Sequence, residues 1–304
     1  MCIKNSGNIY QYEKNTNIQS KSIEKEVACI KDFYSVPHVK TKNMSLMLEK
    51  RNYSFIERWG KIIIEDCILN NDDFEPVFGN FKESQLASYV AFQYTRTPAF
   101  KAQLKNYFLF LFEKRNVDKK LFSNKRKREL IDIVLNNKYG ISHDELTKFN
   151  LFNKSNNRNV ENAIREKMDN LNSISNLLCV IIGNQISESI FRKKLYILKA
   201  SKPYFFVLPD SGTMIYDFSK NEYFLWPYGW DLSNKTTSLF FPISPEKCIV
   251  YTNFDLHNSE LKECFIKESI ILAYHQKHRY IYSDRNDKYI QQNINKFPLT
   301  NDYI

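Results

Sequence analysis

Gln93 and Arg96 lie three residues apart, a spacing that places both side chains on one face of a helix. Pro98 follows two positions later, and a proline within a helical run removes one backbone hydrogen bond and crowds the turn before it. The run that opens at Glu83 and continues to Leu111 is therefore expected to kink or break near Arg96–Thr97, where freed backbone groups allow polar side chains to be mounted. The planar fork of Arg96 suits bidentate contact with a phosphate or a carboxylate. It equally suits an internal carboxylate, and Glu57 on the preceding helix is the natural partner. Asp210–Ser211 closes an apolar strand and is the second candidate. A carboxylate there can hold a metal, act as a general base or cap the backbone of its own turn. Glu57, Gln93, Arg96 and Asp210 form the candidate catalytic set, each with a structural alternative beside it.

Two basic runs, Lys125–Arg126–Lys127–Arg128 and Arg192–Lys193–Lys194, are candidate nucleic-acid-binding segments. The first lies where a helix is expected to start, so its charge opposes the helix dipole, and phosphate binding is one explanation. A solvated face is the other. His275 and His278 are three apart on a C-terminal helix, a spacing able to chelate a metal, but Lys277 and Arg279 beside them fit a cationic helix end better. None of the six cysteines forms a CxxC pair, and none has a histidine at ligand spacing, so a structural zinc is not expected and no metal ligands are assigned. Cys67 and Cys179 fall in apolar helical runs, as buried reduced thiols do. The sequence holds no GxGxxG, Walker A, HExxH or GxSxG pattern, which disfavours nucleotide-dependent and common hydrolase classes and leaves the cofactor unknown.

The elements that must position these residues follow from apolar periodicity. Ile9–Tyr12 alternates like a short strand. From Met44 the pattern is helical, with Leu48, Phe55, Trp59, Ile62, Ile63 and Cys67 on one side until Asn70–Asp73 breaks it. Ser142-x-x-Glu145 reads as a capping box, with His143 inside it, and residues 159–200 read as two further helices. After Lys202–Pro203 the strand candidates are Tyr204–Leu208, Thr213–Tyr216, Glu222–Trp226, Ser238–Phe241 and Cys248–Thr252. A helix from about Ser259 to Lys277 and a strand over Arg279–Tyr282 complete the series. The expected class is α+β: one domain over 1–304, a mostly helical part over 41–200, and a small, mainly antiparallel sheet within 201–304.

Composition bounds the alternatives. Hydrophobic residues make up 43% and aromatics 15%, enough to build a core and too much for a disordered chain. Met1–Asn8 contains no apolar signal region, and the clusters Tyr107–Phe112 and Leu177–Ile182 are far shorter than the ~20 residues of a membrane-spanning helix, so a cytoplasmic protein without membrane insertion is expected. A net charge of +10 favours anionic partners, although richness in Lys, Asn and Ile is also what AT-rich coding produces.

Four blocks in order carry a resemblance to a known family. They are Gln93–Tyr94–Thr95–Arg96–Thr97–Pro98, the strand and turn Phe205–Ser211, the block Phe241–Pro242–Ile243–Ser244–Pro245, and Arg279–Tyr280–Ile281–Tyr282–Ser283. With the tyrosine-rich segment from Ile9, they make the chain resemble the bacterial family catalogued as domain of unknown function number 4238. The chain departs from that family's pattern in three places. No H-x-x-P element precedes Ile9, the turn has Leu208–Pro209 and Gly212–Thr213 where Ser or Thr and Pro are usual, and no Asn occurs between Asn258 and Asn286. The resemblance implies no known activity.

The charge, the basic runs and the Arg96/Asp210 pair point to a nucleic-acid-directed effector, nuclease-like and of a defence or toxin kind. The altered turn and missing first block point instead to a non-catalytic protein-interaction or regulatory module. A third reading is an enzyme that holds a small anionic metabolite near Arg96.

Overall fold

The computed structural model describes residues 9–13, 20–22, 54–70, 72–97, 100–101, 179–180, 182–219, 232, 234–276, 280–284 and 287–296. All of them belong to one compact unit built from residues 1–103 and 173–304. The run Lys125–Arg128, the Ser142–Glu145 capping box with His143, Pro98, His278 and the Glu222–Trp226 strand lie outside the described residues.

Backbone pairing builds two antiparallel four-stranded sheets. The first has the order β2 (Ser20–Ser22), β1 (Ile9–Glu13), β8 (Tyr280–Ser283), β4 (Leu208–Pro209). The second has the order β3 (Lys194–Lys199), β7 (Lys247–Thr252), β6 (Thr237–Pro242), β5 (Met214–Asp217). The class is α+β, and the strands expected at Ile9, Thr213, Ser238, Cys248 and Arg279 are present within a residue or two. The placement of the sheet is corrected. Strands are not confined to residues 201–304: β1 and β2 come from the start of the chain, and β3 lies inside the stretch expected to be helical. The sequence of β3, KLYILK, is a short apolar run that fits either period, and six-residue pairing with β7 decides it. Of the run Tyr204–Leu208, only Leu208 is in a strand, although Phe206 and Val207 are buried.

Every residue of β6 and β7 is buried, so the second sheet is covered on both faces. Successive residues of β6 point to opposite faces. Phe241 meets Tyr89 of α2 (Asn80–Thr95), while Phe240 meets Phe265 of α3 (Ser259–His275). The edges are closed as well, which protects unpaired backbone groups from other chains. Phe74 accepts a backbone hydrogen bond from Ile197 at the β3 edge. On β5, the buried Gln276 accepts from the Ile215 N–H at 2.9 Å and donates to the Ile215 carbonyl. Asn258 caps α3 by accepting from Leu261 N–H, and Asp287 caps α4 (Lys288–Lys296) by accepting from Tyr289 N–H.

The helix before α2 begins as α1 (Ser54–Ile62) and widens into a π-helical segment, Ile63–Leu69, ending at Asn70 as the sequence anticipated. Its buried side matches the expected stripe only in part: Ile63 is buried and Trp59 and Cys67 are half-buried, but Phe55 and Ile62 are exposed. Gly60, Ile63, Ile64 and Ile68 are buried, whereas Phe55 is 58% and Ile62 39% exposed. A Cβ on Gly60 would sit 2.1 Å from Tyr89 Cγ, so the glycine sets how closely α1 approaches α2. Among the described residues, no helix is long and apolar enough to cross a membrane.

Candidate functional site

α2 ends at Thr95, and Arg96 occupies the C-cap position with φ −91° and ψ 3°. Thr97 then starts a new helical turn, its hydroxyl accepting from Phe100 N–H at 3.2 Å and its carbonyl from Lys101 N–H at 3.1 Å. The break at Arg96–Thr97 anticipated from the sequence is therefore present. It leaves Arg96 at the carbonyl end of α2, where a cation complements the helix dipole.

The guanidinium of Arg96 donates from Nη2 to Gln93 Oε1 at 2.8 Å and from Nη1 to Glu57 Oε1, an ion pair that ties α1 to the end of α2. The Arg96 side chain is 21% exposed and that of Glu57 50%, so the cluster sits at the boundary between core and solvent. Three of the four candidate catalytic residues thus meet. Both terminal nitrogens of Arg96 have protein partners, one on α1 and one on α2.

The turn that follows Asp210 packs on the end of α2 through Gly212 and Thr213. Gly212 adopts φ +70°, a left-handed conformation that favours glycine, and its N–H donates to the Pro209 carbonyl at 2.9 Å. A Cβ on Gly212 would lie 3.4 Å from the Gln93 carbonyl oxygen and 3.7 Å from Thr97 Cγ2. Thr213 Oγ1 donates to the Val90 carbonyl at 3.2 Å. The turn therefore packs directly on the end of α2. The Asp210 carboxylate accepts from Tyr280 N–H at 3.0 Å, and Asp210 N–H donates to the Tyr280 carbonyl, also at 3.0 Å. These bonds extend the pairing of β4 with β8 by one residue. Burial first, and the charge of Asp210 second, raise the pKa of the Tyr282 phenol.

Of the second basic run, Arg192 and Lys194 are exposed, whereas Lys193 is 8% exposed and its ammonium donates to the Asn234 carbonyl at 2.9 Å. Burial pulls the Lys193 pKa down to about 8, with Asp217 opposing the shift. Asp217 is itself the centre of a network that sequence reading did not find. Its Oδ1 accepts from Ser219 N–H at 3.0 Å, Ser219 Oγ at 2.7 Å and Thr236 Oγ1 at 2.7 Å. The Asp217-x-Ser219 spacing is the only local signal, an Asx-type turn, since Thr236 arrives through the register of β5 with β6. A second unforeseen group joins Lys199 and Lys247 to Asp72 at 2.7 and 3.3 Å. The hydrogen bond from Lys199 and then that from Lys247 hold the Asp72 carboxyl below its usual range. Lys247 also donates to the carbonyls of Ile68 and Leu69 at 3.0 and 3.1 Å, capping the π-helical end.

Lys101 and Cys179 are neighbours beyond the helix break. Burial lowers the Lys101 pKa to about 8 and pushes the Cys179 thiol up to about 12, as expected of a structural rather than a reactive thiol. Cys67 is half-buried. Among the described residues, no group of three or more His, Cys, Asp or Glu side chains is placed to hold a metal ion.

The family model described as "Protein of unknown function (DUF4238)" matches residues 4–296, nearly the whole chain, and the protein belongs to that family. No curated protein matches the chain, and no solved structure does.

Proposed function

We propose that this member of the DUF4238 family is a non-catalytic protein-interaction module, in which the conspicuous polar cluster at the end of α2 braces the fold. The observation that carries this reading is the joint engagement of Arg96 by Glu57 and Gln93. Catalytic groups need an approach open to substrate at hydrogen-bond distance. Here, Arg96 is engaged by Glu57 of α1 and by Gln93 of its own helix, and the Asp210 carboxylate supports the neighbouring strand through Tyr280 N–H. The same geometry weighs against a small-anion enzyme centred on Arg96.

The test is Arg96→Ala, assayed in parallel for thermal stability and for hydrolysis of RNA and DNA. The reading predicts a lower melting temperature and no hydrolysis in either protein. Hydrolysis by the wild type that Arg96→Ala abolishes at an unchanged melting temperature would overturn it.

One observation favours the second reading, a nucleic-acid-directed effector. Arg192 and Lys194 project into solvent side by side with the inward-facing Lys193, on a chain of net charge +10. Binding to RNA or DNA that weakens steeply with salt, and that Arg192→Glu with Lys194→Glu removes, would favour it. Binding without that salt dependence would remove its electrostatic basis.

A further inference from the structure

The segment 72–76 lies along the outer edge of β3, held there as a bound peptide would be. β3 stands at one end of the second sheet, with β7 on its inner side. In an antiparallel pair, alternate residues turn both backbone groups outwards, and on β3 these are Leu195, Ile197 and Lys199. Among the described residues, one backbone bond reaches this edge, from Ile197 N–H to the Phe74 carbonyl at 2.8 Å. The other outward groups are those with which an added strand pairs.

Side chains supply the rest of the grip, and they select the chemistry of the occupant. The Asp72 carboxylate meets the Lys199 and Lys247 ammonium groups at 2.7 and 3.3 Å, and its backbone carbonyl accepts from Lys199 at 2.8 Å. The Phe74 ring packs on that of Tyr196, 5.2 Å between centroids, with the Lys262 ammonium 4.0 Å from its centre. Glu75 Oε2 lies 2.8 Å from His257 Nε2. The segment itself carries three carboxylates, Asp72, Asp73 and Glu75. Its frame, formed by β3 and residues 246–247 and 255–262, carries Lys194, Lys199, Lys247 and Lys262 against Glu246, Asp255 and Glu260, a net +1 before any charge on His257. An acidic chain therefore fits this edge. A second copy of β3 does not, because antiparallel self-pairing would set Lys194 against Lys199. The segment is also displaceable. Asp72, Asp73 and Glu75 are exposed and Phe74 is half-buried, with Pro76 the buried anchor beyond them, and exposed ion pairs hold weakly.

We infer that the outer edge of β3 docks an extended acidic peptide bearing an aromatic residue, and that segment 72–75 occupies the site as an internal competitor. The inference rests on the interaction-module reading. The partner's backbone takes the Ile197 N–H, its carboxylate takes Lys199 and Lys247, and its ring takes the seat on Tyr196.

The full chain and a fluorescently labelled synthetic peptide of residues 70–78 test it by anisotropy titration. In the chain, Asp72→Asn with Glu75→Gln loosens the internal segment through exposed side chains alone, and adding Phe74→Ser unseats its ring. Both variants are expected to bind the peptide more tightly than the wild type, the triple variant by at least about tenfold, as removal of a competing state requires. Lys199→Glu in the triple variant, or Phe74→Ala in the peptide, is expected to weaken binding at least about tenfold, and added salt to weaken it too. No binding by either variant, both folded by circular dichroism, or one affinity for wild type and variants alike, overturns the inference and leaves the interaction-module reading in place. Full binding of the Phe74→Ala peptide overturns it as unspecific charge attraction. Self-association of the triple variant in sedimentation, without peptide binding, overturns it in favour of a second copy. Arg96-dependent hydrolysis of nucleic acid would instead strike the underlying reading without touching the peptide site.

Discussion

Lys193 is a cation that the fold withdraws from water, and its cost should be visible in the pH dependence of stability. Its pKa falls to about 8 in the folded protein from an ordinary value of 10.5. Between those values the unfolded chain binds more protons than the folded one, so the contribution of Lys193 makes stability rise with pH from about 8 towards 10.5. Lys193→Met removes this contribution, and urea midpoints measured across that window should then rise less steeply. Lys101, also held near 8, keeps part of the slope. An unchanged slope would mean that the Lys193 ammonium is hydrated in the native state. Local reasoning reached some residues and not others. The Glu57–Arg96–Gln93 contact was legible because a three-residue spacing, a helix break and a carboxylate on the adjoining helix define it locally. The bond from Tyr280 N–H to Asp210 spans 70 residues and depends on strand register, which no local pattern encodes.

At the scale of elements, the approach of α1 to α2 depends on one missing side chain. Gly60→Ala would drive a methyl group into the ring of Tyr89, a collision with the stem of the side chain that rotamer change alone does not relieve. Overpacking of this kind costs about 1–3 kcal/mol. The expected result is a lower urea midpoint with an unchanged denaturant slope, together with near-neutral behaviour of Gly60→Ala in a Tyr89→Ala background. Equal losses in both backgrounds would show that Gly60 acts through backbone freedom and not through contact. The same glycine explains why apolar periodicity located only part of the buried face of this helix. Periodicity weighs large apolar side chains, so it selected the exposed Phe55 and Ile62 along with Trp59, Ile63 and Cys67. The fold buries the side where no Cβ intervenes, and the π-helical widening at Ile63–Leu69 then shifts the phase of everything after it. The strands β5 to β8 were readable because turn residues bracket short β-rich runs. β3 was not, since only its pairing with β7 distinguishes it from a continuing helix.

Across the whole molecule, the sheets join distant parts of the chain. β1, near residue 10, lies beside β8, near residue 282, and α2 braces the second sheet through Tyr89 on Phe241. Class and family were legible from pattern and from ordered blocks, whereas strand order was not, because it is a long-range property of the assembled core. Within this architecture the Arg96 cluster joins α1, the end of α2 and, through the packed Gly212 turn, the β4 end of the first sheet. If it braces the fold, losing it should weaken global unfolding. The direct measurement is a double-mutant cycle of Glu57→Gln and Arg96→Ala read by urea denaturation, with nucleic-acid hydrolysis assayed on the same samples. The account predicts that each single change lowers stability, with a coupling of about 0.5–1 kcal/mol for a half-exposed pair and no activity to lose. Zero coupling at unchanged stability, accompanied by loss of a hydrolytic activity present in the wild type, would contradict it.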